Sequence, residues 1–133
     1  MPGTEIKTVL AVDDNEESLR LMACIVERTG HRLILARSGE EAVALAKRQL
    51  PDLILMDIKL PGIDGLEATR RIRESLPTVP IIAVTAHAMT GDRERFLAAG
   101  CNFHLEKPID PVAVLARIGL YLERGGTATP EGH

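Results

Sequence analysis

Short apolar runs alternate along this chain with longer segments in which apolar residues recur at helical spacing. The runs are mostly continuous rather than alternating, which is typical of strands covered by helices on both faces. The pattern therefore predicts five strands of a parallel sheet. Their predicted bounds are Thr8–Val12, Leu33–Ala36, Leu53–Met56, Ile81–Val84 and Asn102–Leu105.

The segments between the runs carry the start and stop signals of helices. Asn15, Ser38 and Asp110 are good N-caps, while Gly30 and Pro51 are placed to end a helix. The predicted helices are Glu16–Thr29, a second from Gly39 to Leu50, Gly65–Leu76, Gly91–Ala99 and Pro111–Glu123. Because crossovers between parallel strands are right-handed, this alternation predicts an α/β fold, a doubly wound (βα)5 sandwich with strand order 2-1-3-4-5.

Polar residues that could form a site stand at the ends of four of the five runs. Asp13 and Asp14 follow the first, Asp57 the third, Thr85 the fourth and Lys107 the fifth. The C-terminal ends of parallel strands share one edge of the sheet, where α/β proteins place their ligand sites. In the predicted order the first and third strands are neighbours, so we expect the three carboxylates to converge.

Three carboxylates held together repel one another unless a cation or protons offset their charge. Oxygen ligands without a nearby Cys or His favour Mg²⁺ over zinc. Lys107 and Thr85 add a positive charge and a hydroxyl, which suit the equatorial oxygens of a phosphoryl group. Asp57 ends the central strand and is the expected nucleophile, with Asp13 and Asp14 as the metal holders.

Composition narrows the classes of function. The chain has 133 residues, a net charge of −3 and 2% aromatic residues, which gives no general attraction to nucleic acid or anionic membrane and few aromatic walls for a flavin. We expect one domain over residues 1–124 and a flexible tail or linker start over 125–133. Without a long apolar stretch or a secretory signal, we expect a cytoplasmic location and free thiols, buried or half-buried, at Cys24 and Cys101.

Four segments together resemble one family, the response regulator receiver domain of two-component signalling. The resemblance extends over about residues 7–123, and its motifs occur in the family's order. It implies the flavodoxin-like (βα)5 fold predicted above. The segments are Val-Asp-Asp-Asn at 12–15, Asp-Leu-Ile-Leu-Met-Asp-Ile-Lys-Leu-Pro-Gly-Ile-Asp-Gly at 52–65, Ala-Val-Thr-Ala at 83–86 and Lys-Pro at 107–108.

The resemblance implies a phosphoacceptor. Asp57 would accept a phosphoryl group from a phosphohistidine on a histidine kinase or a histidine phosphotransfer protein, and the chain would not be a multiple-turnover enzyme. By the same resemblance Asp14, Asp57 and the main-chain carbonyl of Lys59 bind Mg²⁺, and Asp13 acts through water. Thr85 and Lys107 would contact the phosphoryl oxygens, and the Lys107–Pro108 peptide is often cis in this family.

The resemblance also implies functional roles for three further residues, and two of them have a simpler structural explanation as well. His104 stands where the family usually has a switch aromatic, and it is either that switch, together with Thr85, or a static residue at a strand end. Lys59 and His87 correspond to positions that modulate hydrolysis of the acyl phosphate, while Lys59 could equally be a solvated loop charge.

The sequence of residues 85–92 and 99–101 is similar to the corresponding sequences of stand-alone DivK-like regulators and of hybrid-kinase receivers. Both signal through a downstream protein target, so we expect no direct contact with nucleic acid or membrane. A homodimer through residues 91–123 is a further interface to test. Outer apolar residues that we expect to be exposed are Leu21 and Ile25 on the first helix and Val114 and Tyr121 on the last.

Two alternatives stay open at this point, and a third is disfavoured. The chain could be a receiver cut from a longer hybrid kinase or regulator. A Mg²⁺-dependent phosphatase with an aspartyl nucleophile would use similar groups, but it generally needs an acid/base and a specificity cap. A flavodoxin-like cofactor binder is disfavoured because Asp13 and Asp14 stand where its phosphate loop would be.

Overall fold

A computed structural model describes residues 5–86 and 88–123 of the chain. All five predicted strands form within about one residue of their predicted bounds, and they pair in parallel in the order β2-β1-β3-β4-β5. The predicted topology is therefore confirmed. The strands are β1 Thr8–Val12, β2 Arg32–Ala36, β3 Leu53–Asp57, β4 Ile81–Thr85 and β5 Phe103–Glu106.

Each helix follows its strand and begins close to the predicted cap. The side chains of Asn15, Ser38 and Asp64 accept a hydrogen bond from the N–H three residues on, at 2.9–3.0 Å. Asp110 accepts from the N–H of Val112 at 3.1 Å. The helices are α1 Glu16–Glu27, α2 Gly39–Gln49, α3 Gly65–Ser75, α4 Asp92–Ala99 and α5 Pro111–Glu123.

The helices cover both faces of the sheet, which explains the continuous apolar strands. One core lies under α2, α3 and α4, and the other lies under α1 and α5. Every residue of β3 and of β4 is buried. The two layers leave the C-terminal edge of the sheet open, where the loops that begin each helix meet.

Burial corrects several expectations for the outer helices. Ile25, Val114 and Tyr121 are 2%, 1% and 3% exposed, so the prediction that they lie on the surface is wrong. The reason is that α1 and α5 pack against each other as well as on the sheet, which widens the buried face of both. Leu21 is exposed as predicted. Cys24 is also exposed, against the expectation of a buried or half-buried thiol.

The predicted tail, residues 125–133, and the predicted domain boundary at residue 124 lie outside the described residues. Within the described part of the chain, no helix has the length and apolar character needed to cross a bilayer.

Candidate functional site

The first carboxylate pair lies in the turn between β1 and α1. Asp13 is fully buried, whereas Asp14 is exposed. The N–H of Asp13 donates to the carbonyl of Ala36 at 3.1 Å, and its Oδ1 accepts from the N–H of Asn15 at 2.9 Å. Since Asn15 is also the N-cap of α1, the same turn that begins the helix fixes the orientation of the Asp13 carboxylate.

Asp57 is the last residue of β3 and is 4% exposed. The following helix, α3, packs directly on its backbone. The N–H of Gly65 donates to the carbonyl of Ile58 at 2.8 Å, and a Cβ at residue 65 would lie 2.1 Å from the carbonyl oxygen of Asp57. Only glycine permits this approach, so Gly65 sets how close α3 comes to the carboxylate-bearing strand.

Thr85 and Lys107 complete the site from the two strands beyond. Thr85 is the buried last residue of β4, and its carbonyl accepts from the N–H of Lys107 at 2.7 Å. The Lys107–Pro108 peptide is cis, as the resemblance implies. The Lys107 ammonium reaches inward, where Nζ lies 2.8 Å from Oδ2 of Asp13 and 3.5 Å from Oδ1 of Asp57.

Burial and the neighbouring charges shift the pKa values of Asp57 and Lys107. Burial, followed by the negative charge of Asp13, raises the pKa of Asp57 to about 6, although Lys107 acts to lower it. Burial by itself would lower the pKa of Lys107. Its hydrogen bond to Asp13 and the charges of Asp57 and Asp13 outweigh that effect, so the pKa of Lys107 is raised.

The three carboxylates converge as predicted. Asp13, Asp14 and Asp57 each offer one oxygen, and these oxygens all lie within 4.8 Å of one another. Lys107 alone cannot neutralise three negative charges. The donor set is entirely oxygen, which suits a hard divalent cation. The cluster can therefore hold such a cation. One of its members, the buried carboxylate of Asp57, also faces the ammonium group of Lys107.

Comparison with known proteins identifies the family. The model of the response regulator receiver domain matches residues 9–119. The chain belongs to the response regulator receiver domain family. Among curated relatives, the polar-differentiation response regulator DivK of Brucella ovis is 45% identical over 118 residues, which cover 87% of this receiver and 96% of the relative. DivK of Brucella anthropi is 43% identical over the same shares.

Solved structures agree with this assignment. The receiver domain of the sensor histidine kinase PA1611 from Pseudomonas aeruginosa, solved with a magnesium ion coordinated in its active-site cleft, is 39% identical with a TM-score of 0.81 over 89% of this receiver and 98% of that chain. A CheY-like receiver from Methanospirillum hungatei is 29% identical with a TM-score of 0.85, over 90% and 96% of the two chains.

Lys59 and His104, two further predicted residues of this receiver, are not members of the acidic cluster. Lys59 is exposed in the loop between β3 and α3. His104 is half-buried on β5, and its ring meets that of Phe96 of α4 edge-on at a centroid distance of 5.5 Å. His87 lies outside the described residues. The functional roles given to these three residues stay predictions.

Sequence reasoning missed two supports of the receiver's site. Asn15 was expected only as a helix cap, but its N–H also holds Asp13. Gly65 was expected only as the start of a helix, but the backbone of Asp57 lies so close that no side chain fits at residue 65. A glycine at the first position of a helix is a weak signal for close packing, and nothing in the sequence shows which backbone it approaches.

Proposed function

We propose that this chain is the phosphoacceptor of a two-component phosphorelay. Asp57 accepts a phosphoryl group from a phosphohistidine on a histidine kinase or a histidine phosphotransfer protein. The observation that carries the proposal is the placement of Asp57, a buried carboxylate that faces a lysine ammonium 3.5 Å away and two further carboxylates. Family membership supports it independently.

Mg²⁺ is the cofactor of this proposal. Asp14, Asp57 and the main-chain carbonyl of Lys59 would hold the ion, with Asp13 acting through a water molecule. The excess of carboxylates over ammonium groups supports a divalent cation, as does the magnesium ion in the cleft of the similar PA1611 receiver. When bound, Mg²⁺ supplies positive charge that offsets the phosphoryl oxygens.

The chain's own residues carry the transfer. An oxygen of the ionised Asp57 carboxylate attacks phosphorus in line with the phosphoramidate bond of the donor. The P–N bond breaks, its electron pair returns to the imidazole nitrogen, and that nitrogen takes a proton. Lys107 and the hydroxyl of Thr85 contact the phosphoryl oxygens, and the product is an acyl phosphate on Asp57.

The output of this reaction is a change in protein contacts. Thr85 turns toward the phosphoryl group and His104 moves with it as the switch residue, which alters the surface formed by residues 91–123. That surface then binds a downstream protein target or a second copy of the chain. Lys59 and His87 modulate how fast water removes the phosphoryl group.

The proposal treats residues 1–124 as the receiver and residues 125–133 as a tail or linker. The chain itself is the acceptor of the phosphoryl group, so in this proposal it is not a multiple-turnover enzyme on a separate substrate. The expected compartment is the cytoplasm, where histidine kinases meet ATP. Neither nucleic acid nor membrane is a direct partner in this scheme.

Incubation with Mg²⁺ and a small phosphodonor, followed by intact mass measurement, tests the proposal. The native chain should gain one phosphoryl group, and Asp57→Asn should gain none. Asp110→Asn is the matched control, because Asp110 is an exposed helix cap and asparagine caps equally well. Labelling of Asp57→Asn, or labelling that persists with a metal chelator, would contradict the mechanism. Sustained turnover of a phosphoester would favour the phosphatase instead.

A further inference from the structure

The guanidinium group of Arg73 lies between two helix ends. It donates to the carbonyl of Gly100, the C-cap of α4, from Nε at 3.0 Å and from Nη2 at 2.7 Å. From Nη1 it donates to the carbonyl of Leu76, the C-cap of α3, at 3.0 Å. The described residues place no carboxylate in an ion pair with Arg73. Its positive charge is instead matched to the negative ends of two helix dipoles.

A buried amide extends this contact to the sheet. Nη2 of Arg73 also donates to Oδ1 of Asn102 at 2.9 Å, and the same oxygen accepts from the N–H of Ile81 at 2.8 Å. The N–H of Asn102 in turn donates to the carbonyl of Ile81 at 2.8 Å. Asn102 is 2% exposed, so the hydrogen bond from Ile81 to its side chain is buried and costly to break, while the one from Arg73 is part-buried.

At the opposite end of α4, the described hydrogen bonds to side chains are exposed to solvent. Gly91 precedes the helix with a φ of +90° and provides no side-chain cap. The N–H of Met89 donates to Asp92 at 2.8 Å and that of Ala88 donates to Glu106 at 3.2 Å, and both hydrogen bonds are exposed to solvent. Among the described residues, the two ends of this eight-residue helix therefore differ in how far solvent reaches the side-chain hydrogen bonds that fix them.

We propose that Arg73 anchors the C-terminal end of α4, so that α4 pivots about that end when the receiver is phosphorylated. The pivot rests on the proposed function, whereas the anchor does not. Arg73 acts as a positioning residue, because it contacts neither the phosphoryl site nor His104 among its hydrogen bonds. Since Phe96 lies between the fixed and the loose end and meets the ring of His104, movement of the loose end reaches that ring.

Residue-resolved amide hydrogen exchange tests the anchor without any phosphodonor. The amides of Cys101 and Asn102 should exchange slowly, and those of Ala88 and Met89 much faster. In Arg73→Lys, whose compact ammonium does not span the separated oxygens that the planar guanidinium reaches, exchange at Cys101 and Asn102 should rise by about tenfold. Arg71→Lys is the control, since Arg71 is an exposed residue of the same helix whose ion pair within the described residues is with Glu67. Asn102→Asp keeps an oxygen acceptor and should retain slow exchange.

The same sample, treated with Mg²⁺ and phosphodonor, tests the pivot. Exchange should change at residues 88–92 and stay constant at 100–102, with intact mass reporting the phosphoryl group. Equal exchange rates at both ends of α4 in the native chain would overturn the anchor. Equal exchange rates at Cys101 and Asn102 in Arg73→Lys and Arg71→Lys would overturn it too. A phosphorylated receiver that changes at both ends overturns the pivot. A chain that takes up no phosphoryl group refutes the proposed function. The amide exchange measured without phosphodonor still tests whether Arg73 anchors α4.

Discussion

The ammonium nitrogen of Lys107 lies 2.8 Å from Oδ2 of Asp13, a carboxylate with no exposed surface. This contact joins the loop after β5 to the turn after β1 across the whole site. It means that the lysine serves as counter-ion to the acidic cluster when neither metal nor phosphoryl group is bound. In the proposed mechanism, the lysine therefore exchanges one negative partner for another when it contacts the phosphoryl group.

Removing this counter-ion should destabilise the protein. Lys107→Gln should lower the free energy of unfolding by about 2–4 kcal/mol at neutral pH, because two buried carboxylates lose their positive partner. Urea unfolding in a chelator measures the change, and added Mg²⁺ should recover much of it. Lys47→Gln, on the exposed surface of α2, is the control. An unchanged midpoint for Lys107→Gln would show that the contact does not matter to stability.

Neutralising Asp57 should stabilise the metal-free protein in a pH-dependent way. The folded-state pKa of about 6 lies above the ordinary value of 3.8, so ionisation of Asp57 costs stability. That cost is fully present above about pH 6 and absent below the ordinary value. Asp57→Asn should therefore gain up to about 3 kcal/mol near neutral pH and almost nothing near pH 3.

Urea unfolding in a chelator across this pH range, with Asp110→Asn as control, measures the gain at Asp57. Added Mg²⁺ should reduce the gain, because the ion stabilises the ionised form of Asp57 and not the amide. A gain that is equal at both ends of the pH range would contradict the electrostatic explanation.

Gly65→Ala should damage the site and the fold together. A Cβ at this position would lie 2.1 Å from the carbonyl oxygen of Asp57, so α3 must move away from β3. We expect a loss of about 3 kcal/mol in unfolding free energy and a clear loss of Mg²⁺ affinity. Gly30→Ala is the comparison, because its φ of +79° is strained for alanine but nothing lies within 4 Å. Equal Mg²⁺ affinity in both variants would refute the positioning role.

The two thiols should differ sharply in reactivity. Cys24 is exposed on α1, whereas Cys101 is 2% exposed and burial raises its pKa to about 11. Alkylation with iodoacetamide near pH 8 should add one group to the folded chain, at Cys24, and a second only on unfolding. Peptide mass mapping identifies the site. Similar rates at both cysteines would mean that Cys101 is open to solvent.

His104 is predicted to pass the signal from the site to α4. His104→Ala should leave phosphoryl uptake unchanged but reduce the phosphorylation-induced change in amide exchange over residues 88–99. His104→Tyr restores the kind of aromatic residue that the family usually has there and should keep the change. If His104→Ala responds as the native chain does, His104 is a static residue at the strand end.

Strand placement and order could be predicted because the relevant signals are local or topological. Continuous apolar runs mark β3 and β4, and the right-handed crossover rule restricts the order of strands. The faces of α1 and α5 were predicted less well. Ile25, Val114 and Tyr121 are buried because the two helices pack on each other, and helical periodicity alone does not reveal a second packing partner.

The acidic cluster was equally accessible from sequence, since residues that follow neighbouring parallel strands must meet at one edge. The contacts that hold the cluster and its surroundings were not. The pairing of Lys107 with Asp13, the packing of Gly65 on Asp57 and the bridging of two helix ends by Arg73 each join distant parts of the chain. Such contacts depend on loop geometry that residue types do not specify.

The central claim is that Asp57, rather than Asp13 or Asp14, carries the phosphoryl group. The most direct measurement is peptide mass mapping of the native chain after treatment with phosphodonor and Mg²⁺, followed by borohydride, which reduces an aspartyl phosphate to homoserine. We predict homoserine at residue 57 alone, and none when a chelator replaces Mg²⁺. Homoserine at residue 13 or 14, or modification that does not depend on Mg²⁺, would contradict the account.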